Sequence, residues 1–269
     1  MGIRPTVPFL LLLTTFLVGS ASAATCDIPM IAQQVTVPPN VMIVLDNSGS
    51  MNEVMWHEDY DPGIVYSDNF APATMYYVSS EGNYTINGET AYLVDGLHGH
   101  DGRYIGNYLN WLFYHATDEQ RATAPRVTRQ MVANTAVKQV INAASGLRYG
   151  LARFNYSEGG TIEAACGTGV HTLEGKVDGM AADSWTPSAE TLYTVMQYFQ
   201  NPSGPIQWEC QKNFVIFVTD GIPTKDTNIP SWIGDQDGDG NEPGTCASVG
   251  APHMGDADCT DYLDDVAHY

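Results

Sequence analysis

The chain has 269 residues, with 31 Asp and Glu against 11 Lys and Arg and a formal net charge of −20 at pH 7. That balance repels phosphate backbones and anionic lipid head groups, so it argues against nucleic-acid and membrane binding and favours metal cations. With 43% hydrophobic residues, the length suits one large domain, or a smaller one carrying insertions.

From the amino end, the first 23 residues read as a secretory signal. Arg4 supplies the positive start, Phe9 to Val18 an apolar core too short to span a bilayer, and Ala21-Ser22-Ala23 a cleavage site. Export is expected, with no membrane insertion once the signal is removed. The five cysteines, Cys26, Cys166, Cys210, Cys246 and Cys259, then lie where disulfides form readily. The pairs Cys166–Cys210 and Cys246–Cys259 are expected, with Cys26 left over, although sequence alone leaves connectivity open.

Residues 41–45, Val-Met-Ile-Val-Leu, fit a strand buried on both faces, as in a parallel sheet. The run ends in Asp46-Asn-Ser-Gly-Ser50, with a carboxylate and two hydroxyls at alternate positions. Taken alone, this turn suits either a hard divalent cation or the N-cap of a helix. Residues 52–118 interrupt the pattern and hold nine of the 15 tyrosines. Such aromatic density predicts a folded insertion with its own small core rather than disorder. A hairpin is expected within it, from 75–78 and 92–94 around turns at Gly82-Asn83 and Asn87-Gly88.

Residues 119–144 predict a helix, with Val127, Met131, Val137 and Ile141 among the apolar residues recurring at three- and four-residue steps. Residues 147–154 predict a further strand, and Ala189 to Phe199 a helix begun after Pro187. Asn213 to Thr219 reads as a second buried strand, ending at Asp220-Gly221. Alternation of strand and helix is the signature of an α/β domain, doubly wound about a mostly parallel sheet. Beyond it, Asp235, Asp237 and Asp239 alternate as in the first half of an EF-hand loop, with Cys246 where the bidentate Glu would stand. They form a candidate second calcium loop. Thr260 to Tyr269 reads as a capped helix cut off in mid-course. The expected layout is a signal at 1–23 and an incomplete domain at 24–269, with an insertion at 52–118 and a truncated C-terminal end.

In a parallel sheet, Asp46 and Asp220 end their strands at one edge, and Thr186 offers a hydroxyl from a third loop ahead of a helix. Two carboxylates and three hydroxyls suit Mg²⁺ or Mn²⁺, with Ca²⁺ as an alternative. Asp46-Asn-Ser-Gly-Ser50, Thr186 and Asp220 resemble the metal-ion-dependent adhesion site (MIDAS) of von Willebrand factor A domains. That resemblance implies a Rossmann-like fold in which Ser48, Ser50 and Thr186 ligate the ion directly. Asp46 and Asp220 would orient them or their waters, leaving one position for a partner's carboxylate.

A narrower resemblance rests on Gly106-Asn-Tyr-Leu-Asn-Trp111, on residues 185–192 from Trp185-Thr-Pro onward, and on residues 210–221. These look like the amino-terminal region of PilY-type proteins, which are type IV pilus assembly factors and tip-associated adhesins of Gram-negative bacteria. The resemblance implies a periplasmic or cell-surface location at a pilus tip, with a role in pilus biogenesis and surface attachment. It also implies a protein partner, such as a minor pilin or surface ligand, and a separate C-terminal domain in the same full-length chain.

Enzymatic readings have less behind them. No Gly-x-Ser-x-Gly elbow is present, and neither Ser48 nor Ser50 has an identifiable base. The chain is read as a non-enzyme, with an exported metal-dependent hydrolase and a purely structural, metal-stabilised domain as the competing classes.

Overall fold

The computed structural model describes residues 37–221, 223–234, 236 and 262–268. The chain divides into two units, and the described residues belong to the second, residues 36–269. The signal segment, Cys26, Cys246, Cys259 and the loop of Asp235, Asp237 and Asp239 lie outside the described residues.

In chain order the elements begin with β1 (Asn40–Leu45), a 3₁₀ turn (Gly49–Asn52), β2 (Met75–Val78), β3 (Gly82–Ile86), β4 (Glu89–Leu93) and β5 (Gly102–Ile105). Next, α1 (Gly106–Asn110) runs into a π-helical turn (Trp111–His115), followed by α2 (Asp118–Thr123) and α3 (Arg129–Ala143). Then come β6 (Arg148–Phe154), β7 (Gly160–Ala164), α4 (Val170–Asp178), α5 (Ser188–Gln200), β8 (Asn213–Val218) and α6 (Tyr262–His268).

The fold is mixed α/β. Its main sheet has the order β7-β6-β1-β8. β1 runs parallel to both β6 and β8, while β7 is antiparallel to β6. Alternate β1 side chains point to opposite faces. Val41, Ile43 and Leu45 pack with Ala133, Val137 and Ile141 of α3 and with Leu173 and Val177 of α4. Met42 and Val44 pack with Ala152, Phe154 and Val195 on the other face. Helices on both sides explain why the strand has no polar position between its ends. Each aliphatic side chain buried this way contributes about 1.5–3 kcal/mol.

A polar clamp sets the register at the amino end of the sheet. Fully buried Asn40 donates to Asn213 Oδ1 at 2.8 Å and accepts from Arg148 Nε at 2.9 Å. Those are its register partners on the two flanking strands. A one-residue slip would break both bonds and turn every side chain to the wrong face.

The structure departs from the sequence expectations in four places. First, the 119–144 helix is divided. α2 ends before Pro125, which lacks the N–H a helix needs, and α3 starts afresh at a Thr128 cap. Second, the strand at 75–78 pairs with β5 rather than with 92–94. The hairpin is β3–β4, closed by Asn87 and Gly88, both at positive φ. Third, β8 is the sheet edge among the described residues, leaving Phe214 50% exposed and Ile216 39% exposed. An apolar run reports composition, not which place in the sheet the strand takes.

Fourth, the Cys166–Cys210 pairing does not form. Cys166 is a free, buried thiol, while Cys210 is disulfide-bonded. Cys166 is packed into the core with Met42, Val44 and Val195, its N donating to the Tyr198 hydroxyl and its carbonyl accepting from Arg148 Nη2. Burial among apolar neighbours pushes the Cys166 thiol up to about 11.

Residues 54–124 supply a second core around Tyr60, Tyr104, Tyr108, Trp111, Leu112 and Phe113. The two asparagines of the 106–111 motif are its staples. Asn107 accepts from Tyr66 N at 2.7 Å and donates to Tyr60 OH and Ile64 O. Asn110 accepts from Phe70 N at 2.9 Å and donates to Tyr66 O and Phe70 O. Five of these six hydrogen bonds hold a 64–70 loop that has no regular structure of its own, and the sixth ties Asn107 to Tyr60.

Candidate metal centre

The sheet order places a topological switch at β1. The connection from β1 leads to β6 on one side, and the chain later crosses back to β8 on the other. Open α/β sheets bind ligands in the crevice at the carboxyl ends of such strands. Asp46 and Asp220 both sit at that edge.

Asp46 is fully buried. Its Oδ1 accepts from Ser48 N at 2.7 Å, and its Oδ2 from Thr219 Oγ1 at 2.7 Å and Asp220 N at 3.4 Å. Ser48 Oγ and Ser50 Oγ stand 2.9 Å apart, and Ser50 Oγ donates to Asp220 Oδ1 at 2.9 Å. Burial raises the Asp46 pKa above the ordinary carboxylate value; bonds from Ser48 and Thr219 oppose that rise, and the Asp220 charge adds to it.

Four of the five expected residues therefore join in one run of hydrogen bonds. Thr186 stands on the adjoining loop, where Ser184 N donates to Asn47 O at 3.0 Å and Gly49 N to Ser184 O at 2.9 Å. Thr186 itself is buried, and its backbone pairs with Thr224. Among the described contacts none joins its hydroxyl to the other four residues. The helix-cap reading of the 46–50 turn finds no support, because Ser48 precedes the 3₁₀ turn without a side-chain cap bond.

Several supporting residues escape sequence reasoning. Asn47 Oδ1 accepts from Phe154 N at 2.9 Å and locks the turn onto β6. Arg129 Nη1 donates to Asp220 Oδ2 at 2.6 Å, and its Nη2 pairs with Glu53 Oε2 at 2.8 Å. A cation in the first turn of a helix opposes the helix dipole, which is the one sequence sign that Arg129 has work elsewhere. Burial raises the Glu53 pKa, and the guanidinium groups of Arg129 and Arg103 lower it.

Asp226 and Glu190 fix the start of α5, which begins two residues after Thr186. Asp226 accepts from Ala189 N at 2.9 Å and Glu190 N at 3.0 Å. Glu190 accepts from Gly159 N at 2.6 Å and Asn228 N at 2.8 Å. Burial pushes Asp226 up to about 7, although its backbone donors pull the other way. In the unfolded chain the carboxyl returns to its ordinary 3.8. The folded state then holds the extra proton, so stability falls as pH rises from about 4 to 7 and is flat above. The ceiling is roughly 4 kcal/mol, at about 1.4 kcal/mol per decade of proton affinity. Urea unfolding in chelator at pH 4.5 and 7.5 should show this slope, and Asp226→Asn should flatten it. An equal slope in both proteins would rule out Asp226 as its source.

Among the described residues no three His, Cys, Asp or Glu side chains come together as a metal-ligand group. The candidate centre depends on hydroxyls beside two carboxylates. Also among the described residues, no helix is long and apolar enough to cross a membrane.

No protein-family model matches the chain, and no curated protein matches it. Among solved structures it is similar to the vWF domain of the type V pili tip protein Mfa5 from Porphyromonas gingivalis, at 13% identity and a TM-score of 0.35. The match covers 71% of this chain and 40% of that one.

Proposed function

We propose that this domain binds a protein partner through a divalent cation held at the β1–β8 edge, and that it serves pilus-associated surface attachment outside the cytoplasm. The run of bonds from Asp46 through Ser48 and Ser50 to Asp220 carries this reading. Its donor set is all oxygen, which suits Mg²⁺, Mn²⁺ or Ca²⁺ and disfavours metals that prefer sulfur or nitrogen. When bound, the ion supplies a Lewis-acidic position for a carboxylate of the partner.

The chain's own residues prepare that position. Asp46 holds the turn by accepting from Ser48 N, which aims both serine hydroxyls at the edge. Asp220 draws the Ser50 hydroxyl toward β8. The backbone bonds between the 47–49 turn and Ser184 hold the loop that carries Thr186 beside that turn. Trp185, next to Thr186 and 45% exposed, offers the kind of aromatic anchor on which protein interfaces concentrate their binding energy. The likeness of the five residues to a MIDAS supports a binding role over an enzymatic one. The motifs at 106–111, 185–192 and 210–221 support the type IV pilus setting.

The test is capture of minor pilins or surface proteins by the purified domain, with Mn²⁺ or with chelator. Recovery should depend on the ion and fall with Trp185→Ala. Equal recovery in both conditions would remove the metal from the mechanism.

A further inference from the structure

We propose that Arg129 is a built-in competitor of the divalent cation for Asp220, and that Glu53 is the acceptor that draws it away when the ion binds. This rests on the metal reading above and adds a control on its affinity. The guanidinium of Arg129 forks between two acids, at 2.6 Å from Asp220 Oδ2 and 2.8 Å from Glu53 Oε2. Asp220 thus has one oxygen on Ser50 and the other on a fixed positive charge. All three side chains are largely shielded from water, with exposures of 27% for Arg129, 11% for Asp220 and 18% for Glu53. Their charges are therefore felt more strongly than surface charges would be.

The arrangement is anchored rather than incidental. Arg129 opens α3 directly after its Thr128 cap, and Arg129 N donates to Glu53 O at 2.9 Å. Backbone bonding therefore keeps the start of α3 beside the Glu53 segment independently of Asp220. A second cation, Arg103, lies close by. A Cβ on Gly49 would meet its Nη1 at 3.2 Å, so its guanidinium rests on the turn between Ser48 and Ser50. In a chain with only 11 Lys and Arg, two arginines meet at this one acidic turn.

Arginine stays protonated in proteins, so its repulsion of an incoming dication cannot be relieved by losing a proton. It is relieved only by moving the charge, and Glu53 is the neighbouring acid positioned to receive it. Removing Arg129 should therefore tighten ion binding. Removing the Glu53 charge should weaken it, because Arg129 then rests on Asp220 alone.

Mn²⁺ titration calorimetry on the full chain tests this, using wild type, Arg129→Gln, Arg129→Lys and Glu53→Gln. Arg129→Gln should bind Mn²⁺ about tenfold more tightly and Glu53→Gln about tenfold more weakly, with Arg129→Lys near wild type. Both Gln variants lose the same ion pair, so thermal melts in chelator should drop for both. A merely structural pair would then weaken Mn²⁺ binding in both variants, whereas competition moves affinity in opposite directions. Unchanged or weaker binding by Arg129→Gln, in a protein whose binding still requires Asp46, overturns this inference and leaves the metal reading standing. No Mn²⁺ binding by any of the four proteins overturns both.

Discussion

Asp46→Ala is expected to weaken Mn²⁺ binding by roughly 100-fold or more, the upper end for losing a group that orients metal ligands. The carboxylate is the hub of the site. It fixes the 48–50 turn through Ser48 N and reaches β8 through the Thr219 hydroxyl and Asp220 N. Without it, the two serine hydroxyls lose their aim, and Asp220 is the remaining acid of the five-residue set. The same substitution strands a buried N–H and hydroxyl, at about 1–3 kcal/mol for each unpaired group. Removing a buried charge that Asp220 repels works in the other direction. The net destabilisation in chelator should be modest, about 1–2 kcal/mol.

Affinity and stability can therefore be read separately, by Mn²⁺ calorimetry and by urea unfolding in chelator. Asp46→Asn sharpens the comparison. It keeps one oxygen acceptor for Ser48 N but loses the charge, so it should retain most of the stability and little of the ion binding. Unaltered Mn²⁺ affinity in either variant would sink the metal reading.

Gly106→Ala should destabilise the aromatic core by about 3 kcal/mol or more, at the top of the range for inserted methyl groups. A Cβ there would lie 2.1 Å from the Ala71 carbonyl oxygen and 3.0 Å from the Tyr76 ring. The backbone cannot ease away, because Gly106 N donates to Thr74 O at 2.8 Å and Asn107 N to Pro72 O at 3.0 Å. Shifting α1 would also pull Asn107 and Asn110 off the 64–70 loop. The near-ultraviolet circular dichroism of the stacked Tyr108 and Trp111 rings reports the damage. Amide exchange along β1 should stay slow, since that strand packs in different clusters. A variant within about 0.5 kcal/mol of wild type would show that the loop around Ala71 can yield after all.

The Gly106 case also shows where sequence reading runs short. Its motif stands out in the sequence, but the reason for it is a carbonyl 35 residues earlier in the chain, and nothing local announces that contact. Asn107 and Asn110 look like ordinary polar helix residues until the loop they staple is seen to return over them. The strand at 75–78 was legible as a strand, but its partner was not. β4 pairs with β3 across the Asn87-Gly88 turn, and β2 pairs with β5 in a separate two-stranded sheet. Likewise the apolar composition of β8 was plain, while its half-exposed edge position depends on which strands flank it.

What the sequence determined by itself was short-range chemistry. Apolar runs at 41–45 and 213–219 mark the strands, and alternate oxygens at Asp46, Ser48 and Ser50 mark a polar turn, because the spacing between neighbouring residues is set by covalent geometry. Parallel pairing then put Asp46 and Asp220 at one edge. Tertiary structure alone decided the rest. It joined Ser50 to Asp220 across 170 residues and Arg129 to Asp220 across 91. It set the parallel register through Asn40, and it packed Cys166 into the core as a free thiol. Those pairings are energetically worthwhile only after β1, β6 and β8 are assembled, since a hydrogen bond or ion pair depends on ångström-scale placement that sequence separation does not encode.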